Sequence, residues 1–146
     1  MKKNIFFVSA VLFTVMIFGC KNFSIESVPY LATGEFVMES DSEDYSVCGF
    51  DFQFYNQSVK NVKEIEVVFF LFDKDGEPAH ECSNRIALEI EARIEAGESL
   101  KKCLSLDRFM NQFPEEELYV DYLYVSRIEY EDGSLWEDPF GLTAFK

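Results

Sequence analysis

The stretch VKEIEVVFFLF, residues 62–72, alternates its side chains with a period of two and is followed by DKDG, residues 73–76. Successive side chains of a β-strand point to opposite faces, so such alternation is typical of a strand. One of the two rows is apolar from Ile65 onward and consists there of Ile65, Val67, Phe69 and Leu71. Asp and Gly favour tight turns. The stretch therefore predicts a strand with one buried row that ends in a turn over residues 73–76.

The same period recurs along the chain. We predict further strands at residues 48–55, 100–106, 118–130 and, more briefly, around Leu135 and Trp136. Asp132-Gly133 precedes that last strand and favours a hairpin, because both residue types tolerate a positive φ.

Turns and loops are predicted between these strands. They are the turn at residues 56–61 (NQSVKN), the acidic loop at residues 39–46 (ESDSEDYS) and a single helical turn that starts at Asp107 as its N-cap and ends before Pro114.

Residues 85–95 (RIALEIEARIE) fit two patterns. Ile86, Ile90 and Ile94 would share one face of a helix at i, i+4 spacing. Leu88, however, would lie away from that helical stripe, whereas it continues the alternation of a strand. We therefore favour a strand here, with a helix as the alternative.

About seven short strands separated by turn residues indicate an all-β chain. We expect an immunoglobulin-like, two-layer antiparallel β-sandwich over residues 30–146, with Greek-key connections. The strands at residues 62–72 and 118–130 should be adjacent and central.

The N-terminus has the features of an export signal. Lys2 and Lys3 precede a run at residues 5–18 that is apolar apart from Ser9 and Thr14. This run is shorter than the roughly 20 residues of a membrane-spanning helix, and a secretory signal begins in this way.

Residues 17–20 (IFGC) resemble the lipobox of bacterial lipoproteins, although Phe18 stands where a small residue is usual. The resemblance implies a signal peptide at residues 1–19, a diacylglyceryl group and a further acyl chain such as palmitate on Cys20, and a tether at residues 20–29. The protein would then be membrane-anchored by lipid in the cell envelope, periplasmic or surface-exposed. An ordinary secretory signal or an uncleaved anchor is the alternative.

A second resemblance lies in residues 56–76, where an Asn-Gln-Ser turn leads to Val67–Gly76 (VVFFLFDKDG). This segment resembles bacterial FxLYD-type domains, with Phe72 at the Tyr position of the motif. Residues 94–99 (IEAGES) are similar to the turn that follows in such domains, with Ala96 in place of the usual Pro. The resemblance implies an immunoglobulin-like domain of secreted proteins and lipoproteins, with no enzymatic activity.

The amino-acid composition excludes two classes of protein. The chain has 27 acidic and 13 basic residues, a net charge of -14 and 16% aromatic residues. It is too aromatic for a disordered chain and too acidic for an ordinary nucleic-acid binder.

Motifs for catalysis or metal binding are lacking. The single histidine, His80, lies in a polar turn region, and we expect no catalytic residue, no cofactor and no metal ion. Paired carboxylates such as Glu64 and Glu66 fit the solvated face of a strand. A small carboxylate-dependent hydrolase is therefore only a remote alternative. Besides Cys20 there are three cysteines, Cys48, Cys82 and Cys103, which allow one disulfide in any of three pairings.

Two strands carry more apolar side chains than one buried face requires. If the strands at residues 62–72 and 118–130 are neighbours, their surplus side chains would form one outward patch. This possible interaction patch consists of Val68, Phe70, Phe72, Tyr119, Leu123 and Val125. The alternative is that it is covered by residues 28–38 or by the region of Phe109, Met110 and Phe113.

Together these observations predict a lipid-anchored extracytoplasmic protein with a non-enzymatic role in protein binding or envelope assembly. An adhesin-like surface protein is the alternative. The expected partners are the membrane, through the N-terminal lipid, and an envelope or host protein. Self-association through the patch is a further possibility, and nucleic acid is not an expected partner.

Overall fold

A computed structural model of the chain describes residues 28–42 and 45–144, with the backbone alone at residues 40–42 and 45–46. The predicted signal peptide, Cys20 and most of the tether lie outside the described residues. The described elements are seven strands and one 3₁₀ turn: β1 (Tyr30–Ser42), β2 (Tyr45–Asn56), β3 (Val62–Phe72), β4 (Arg85–Ile94), β5 (Ser99–Ser105), the turn Asp107–Phe109, β6 (Tyr119–Tyr130) and β7 (Leu135–Glu137).

The strands form two antiparallel sheets, with the orders β1-β2-β5 and β4-β3-β6-β7. The chain passes from one sheet to the other after β2, β4 and β5. This confirms the predicted two-layer antiparallel β-sandwich, with β3 and β6 adjacent and central. In the constant-type arrangement the fourth strand joins the sheet of the first and second strands. Here β4 instead pairs with β3 through eight register positions, from Val62↔Ile94 to Phe70↔Arg85.

The core lies between the sheets and is built from alternating rows. The predicted row of β3 is buried, with Ile65 and Leu71 at most 1% exposed. It meets the phenylalanines of β2, and the rings of Phe50 and Phe69 stack with their centroids 4.0 Å apart. Gly34 of β1 lies against this pair, since a Cβ there would be 2.3 Å from the Phe50 ring. A glycine is required where ring and backbone approach so closely.

The strand interpretation of residues 85–95 is confirmed, and the helix alternative is wrong. Ile86, Leu88, Ile90 and Ile94 are all buried on one face of β4. A helix would have exposed Leu88, whereas the strand buries it opposite Val67.

Two local predictions are corrected. Residues 39–46 are not a loop, because the β1–β2 ladder continues through Glu39↔Val47 and Ser40↔Ser46. Backbone groups pair whatever the polarity of the side chains, so an acidic sequence does not end a hairpin ladder.

Asp107 is the first residue of the 3₁₀ turn rather than its N-cap, which is Leu106. The Asp107 carboxylate instead accepts hydrogen bonds from the Cys48 amide at 3.0 Å and the Ser105 hydroxyl at 2.8 Å.

The two ends of the sandwich are distinct. Val28 and Pro29 lie beside the 57–61 loop, where the Gln57 amide donates to the Pro29 carbonyl at 2.9 Å. We call this the entry end. The 73–84 loop lies at the other end of β3, which we call the far end. Eleven residues of β3 separate the two, which corresponds to roughly 35 Å of extended chain.

Candidate functional site at the far end

The outer face of the β4-β3-β6-β7 sheet is polar near the entry end and aromatic near the far end. In the polar half the Arg127 guanidinium lies 2.5 Å from a Glu64 carboxylate oxygen and 3.6 Å from one of Glu89. In the aromatic half Phe70 and Phe72 of β3 point outward and are half-buried. The outward row of β3 therefore changes from charged to apolar side chains at Val68.

Two irregularities in β6 decide which of its side chains join this face. Glu66 is opposite Arg127 but Val67 is opposite Val125, which leaves Ser126 as an extra residue. A second extra residue lies between Tyr124, opposite Val68, and Asp121, opposite Phe70. Each inserted residue of a β-bulge reverses the alternation of the strand beyond it.

The predicted patch is corrected by these bulges. Val125 faces inward and is fully buried in the core. Leu123 also packs inward, 2.8 Å from the position that a Cβ on Gly34 would take. Regular alternation, the assumption behind their assignment to the outer face, fails across a bulge.

The remaining members of the predicted patch do lie on the outer row, but not all are open. Val68 is fully buried between Ala87 of β4 and Tyr124 of β6. Phe70 and Phe72 are half-buried, and Tyr119, opposite Phe72, is 54% exposed. Three of the six predicted residues therefore reach solvent on one face.

The bulges are stabilised by residues from distant parts of the chain. The buried Tyr30 hydroxyl accepts a hydrogen bond from the Val125 amide at 3.0 Å, and burial raises the pKa of this phenol. The Ser126 hydroxyl donates to the Glu66 carbonyl at 3.2 Å and also to the Glu66 carboxylate. These contacts satisfy the groups that a regular ladder would have paired.

Tyr122 is the residue that the second bulge brings outward. Its φ is 50°, in the left-handed region that a tyrosine rarely adopts, and its amide donates to the Asp121 carboxylate at 2.7 Å. Its ring contacts Phe70 edge-on at 6.0 Å between centroids and Phe72 at 6.1 Å. Backbone strain of this kind often accompanies functional sites.

The C-terminal turn supplies a further ring that the sequence analysis missed. The Asp138 amide donates to the Ser126 carbonyl at 2.8 Å and continues the edge of the sheet. The Asp138 carboxylate then accepts from the amides of Leu142 and Thr143 at 2.9 and 2.8 Å. This turn places Phe140, 75% exposed, beside β6. Asp, Pro and Gly within residues 138–141 were the signal for a turn there.

The aromatic cluster, as we name it, consists of Phe70, Phe72, Tyr122, Tyr124 and Phe140. Together with Asn84 these rings line an open cavity of about 450 Å³. The Tyr124 hydroxyl donates to the Pro139 carbonyl at 3.4 Å, which connects the cluster to the C-terminal turn. The elements predicted as a cover lie elsewhere. β1 belongs to the other sheet, Phe109 and Met110 pack against the core, and Phe113 is exposed and does not line the cavity.

A second cavity of about 410 Å³ adjoins the first and shares Phe72 and Tyr122 with it. Its walls carry the carboxylates of Asp73 and Asp121 as well as Lys74. The Lys74 ammonium is bonded to Glu116 at 2.7 Å, so its charge is locally balanced. The rim of this second cavity is therefore acidic.

The remaining residues considered for chemistry are dispersed. His80 is exposed in the 73–84 loop. Among the described residues no group of three or more His, Cys, Asp or Glu side chains could hold a metal ion. Glu64 is engaged by Arg127, and Glu89 and Glu91 are exposed on β4.

The three described cysteines are free thiols, two in the core and one exposed. Cys48 and Cys82 are buried in the core, whereas Cys103 is exposed on the outer face of β5. Burial, with Asp107 and Cys82 nearby, raises the pKa of the Cys48 thiol to about 11. A disulfide needs side chains that point toward each other. Of the three pairings, only that of Cys48 with Cys82 would join two thiols of the core, and in the structure both are free.

No family model and no curated protein matches the chain. A hypothetical protein from Peptoclostridium difficile 630, whose X-ray structure was determined at 1.85 Å, is similar in structure, with a TM-score of 0.55 at 13% sequence identity. The match covers 77% of this chain and 88% of that protein. At this identity the likeness shows the fold alone. Within residues 28–42 and 45–144, no helix has the length and apolarity needed to cross a membrane.

Proposed function

We propose that this protein is a lipid-anchored, extracytoplasmic binding module, without enzymatic activity, that holds a protein partner on the aromatic cluster at its far end. The observation that carries the proposal is the cluster itself, in which five aromatic rings surround an open cavity of about 450 Å³. Aromatic side chains are enriched in the cores of protein interfaces and provide much of their binding energy.

The position of the cluster suits an anchored protein. Residues 21–27 connect Cys20 to Val28, which lies at the entry end. A lipid on Cys20 would therefore attach the domain to the membrane through its entry end, which is the end opposite the aromatic cluster. The lipobox resemblance of residues 17–20 supports the anchor, and the FxLYD-type resemblance supports a domain without catalysis.

The anchor is tested by replacing the proposed lipidated residue. In cells supplied with labelled palmitate, the Cys20→Ser variant is expected to lose the label and its membrane association. The Cys103→Ser variant is the matched control, because Cys103 is an exposed thiol elsewhere in the chain. Undiminished labelling of Cys20→Ser would contradict the anchor.

The binding role is tested by photo-crosslinking in the native envelope. A benzoylphenylalanine at position 140 replaces an exposed ring of the cluster, and one at position 55 replaces Tyr55, which is 38% exposed on the other sheet. We expect a discrete adduct with a protein from position 140 and none from position 55. No adduct from position 140, or the same products from both positions, would overturn the binding role.

The identity of the cross-linked partner separates the alternatives. An envelope protein supports an assembly module, whereas a host protein supports the adhesin-like alternative. An adduct of twice the chain mass would instead indicate self-association through the cluster.

A further inference from the structure

We infer that the partner presents a basic segment to the far end, with arginine or lysine side chains next to apolar ones. This inference rests on the proposed function and names the chemical class of the partner. It is carried by the charge around the aromatic cluster together with the shape of the two adjoining cavities.

The surroundings of the cluster are acidic. Asp73 and Asp121 line the second cavity, and Asp75 and Glu77 are exposed on the same turn as Asp73. Of the nearby cations, Lys74 is bonded to Glu116, and Arg85 lies opposite Phe70 on the β4 side. Opposite charges across an interface favour association, whereas like charges oppose it.

The same charges disfavour two other occupants. A second copy of this chain would bring an equally acidic rim against the first, on molecules that each carry a net charge of -14. An anionic lipid surface would be repelled in the same way. A basic protein segment is the occupant that this rim attracts.

The rings add a second attraction for cations. The faces of tyrosine and phenylalanine rings attract guanidinium and ammonium groups, and this attraction contributes to binding even where the ring is exposed to solvent. Tyr122 is 51% exposed and belongs to both cavities, so a cation that reaches its ring is also close to Asp121.

The two cavities differ in polarity and share a wall. The first is lined by five rings and Asn84, and the second combines rings with carboxylates, while Phe72 and Tyr122 belong to both. An apolar side chain fits the first cavity and a basic side chain fits the second. An extended partner segment that carries both kinds of residue can fill the two at once.

The experiment uses the full chain in detergent micelles and labelled nine-residue peptides, with binding followed by fluorescence anisotropy. One peptide alternates arginine and leucine, and a second replaces each arginine by citrulline, its uncharged analogue. We expect saturable binding of the arginine peptide and at least tenfold weaker binding of the citrulline peptide. Equal binding of the two peptides would overturn the inference.

Protein variants locate the binding. Phe140→Ala removes an exposed ring, and Asp121→Asn removes a charge while retaining an oxygen that can accept from the Tyr122 amide. Each variant is expected to bind the arginine peptide about three- to tenfold more weakly than the unchanged protein does. The matched controls, Tyr55→Ala and Glu98→Gln, make the same kinds of change away from the cluster and should alter binding less than twofold. Equal losses in the controls would show that the peptide does not bind at the aromatic cluster, which would overturn the inference.

The two proposals fail in different ways. If position 140 cross-links a partner but the arginine peptide does not bind, the inference about charge is wrong and the binding role stands. If position 140 yields no partner adduct in the envelope, the proposed function is wrong, and the inference that rests on it falls too.

Discussion

Asn56 offers the sharpest test of how the entry end is held together. Its side chain is buried and its amide nitrogen donates to the carbonyls of Lys60, Ile94 and Glu95 at 2.8, 3.3 and 3.0 Å. Its amide oxygen accepts from the backbone amide and the hydroxyl of Ser58 at 3.0 and 2.7 Å. One side chain thus joins the 57–61 loop to the turn that follows β4.

The expected cost of Asn56→Ala follows from these contacts. The two N–H groups donate two bonds at a time and the oxygen accepts one from the Ser58 amide, whereas the Ser58 hydroxyl can donate to the Lys60 carbonyl at 3.0 Å instead. About three hydrogen bonds are therefore lost, each with a net value of about 1 kcal/mol. We therefore expect a loss of about 3 kcal/mol in the free energy of unfolding. For a domain that unfolds in urea with a slope of about 1.5 kcal/mol/M, the midpoint falls by roughly 2 M.

Two further variants make the result decisive. Asn61→Ala changes the same residue type at the other end of the adjoining 57–61 loop. Asn61 bonds at exposed positions to Ala96 and Glu131, so we expect a loss below about 1 kcal/mol. Asn56→Asp keeps the acceptor for Ser58 but places an oxygen against three carbonyls, so it should destabilise at least as much as Asn56→Ala. Equal midpoints for Asn56→Ala and Asn61→Ala, measured by circular dichroism in urea, would refute the reasoning.

Three further predictions address other parts of the sandwich. Gly34→Ala should destabilise by about 2 kcal/mol or more in urea unfolding, because its Cβ would lie 2.3 Å from the Phe50 ring; an unchanged midpoint would contradict the packing. A maleimide should label Cys103 rapidly in the native protein and the two buried thiols only after unfolding, as followed by mass spectrometry; equal labelling of all three would be inconsistent with the fold. Burial acts to raise the pKa of Asp138, but hydrogen bonds from the C-terminal turn outweigh it, so the pKa is lowered. The folded carboxylate therefore stabilises the turn above the ordinary Asp pKa of about 4, and this contribution is lost as the pH falls through the lowered value. The protection of the 142–143 amides against hydrogen exchange, measured relative to their intrinsic exchange rates at each pH, should fall on that acidification, while the Asp138→Asn variant should show no such transition.

The candidate site was only partly accessible from sequence. Phe70 and Phe72 were assigned to the outer face correctly, because β3 is regular over residues 64–72 and its alternation can be followed from the core row. Val125 and Leu123 were misassigned because β6 contains two bulges within a few residues. Phe140 was missed because its position depends on a turn that closes on Asp138 rather than on any strand pattern.

The sequence by itself determined six of the seven described strands, all but β1, and the turns between most of them. The period of two in residues 62–72 and 85–94 reports which side chains are buried together, and Asp132-Gly133 marks the hairpin in which Gly133 adopts a φ of 80°. These are local properties, since backbone geometry and turn chemistry depend on neighbouring residues.

Only the tertiary structure decided which side chains of β6 lie on the face of the aromatic cluster. A bulge leaves an unpaired backbone group, and here a partner distant in sequence satisfies it: the Tyr30 hydroxyl binds the Val125 amide. The same packing turns Tyr122 outward onto Phe70 and brings Phe140 beside it. The aromatic cluster thus exists because β1, β3, β6 and the C-terminal turn meet, and residues so far apart in the chain share no sequence period.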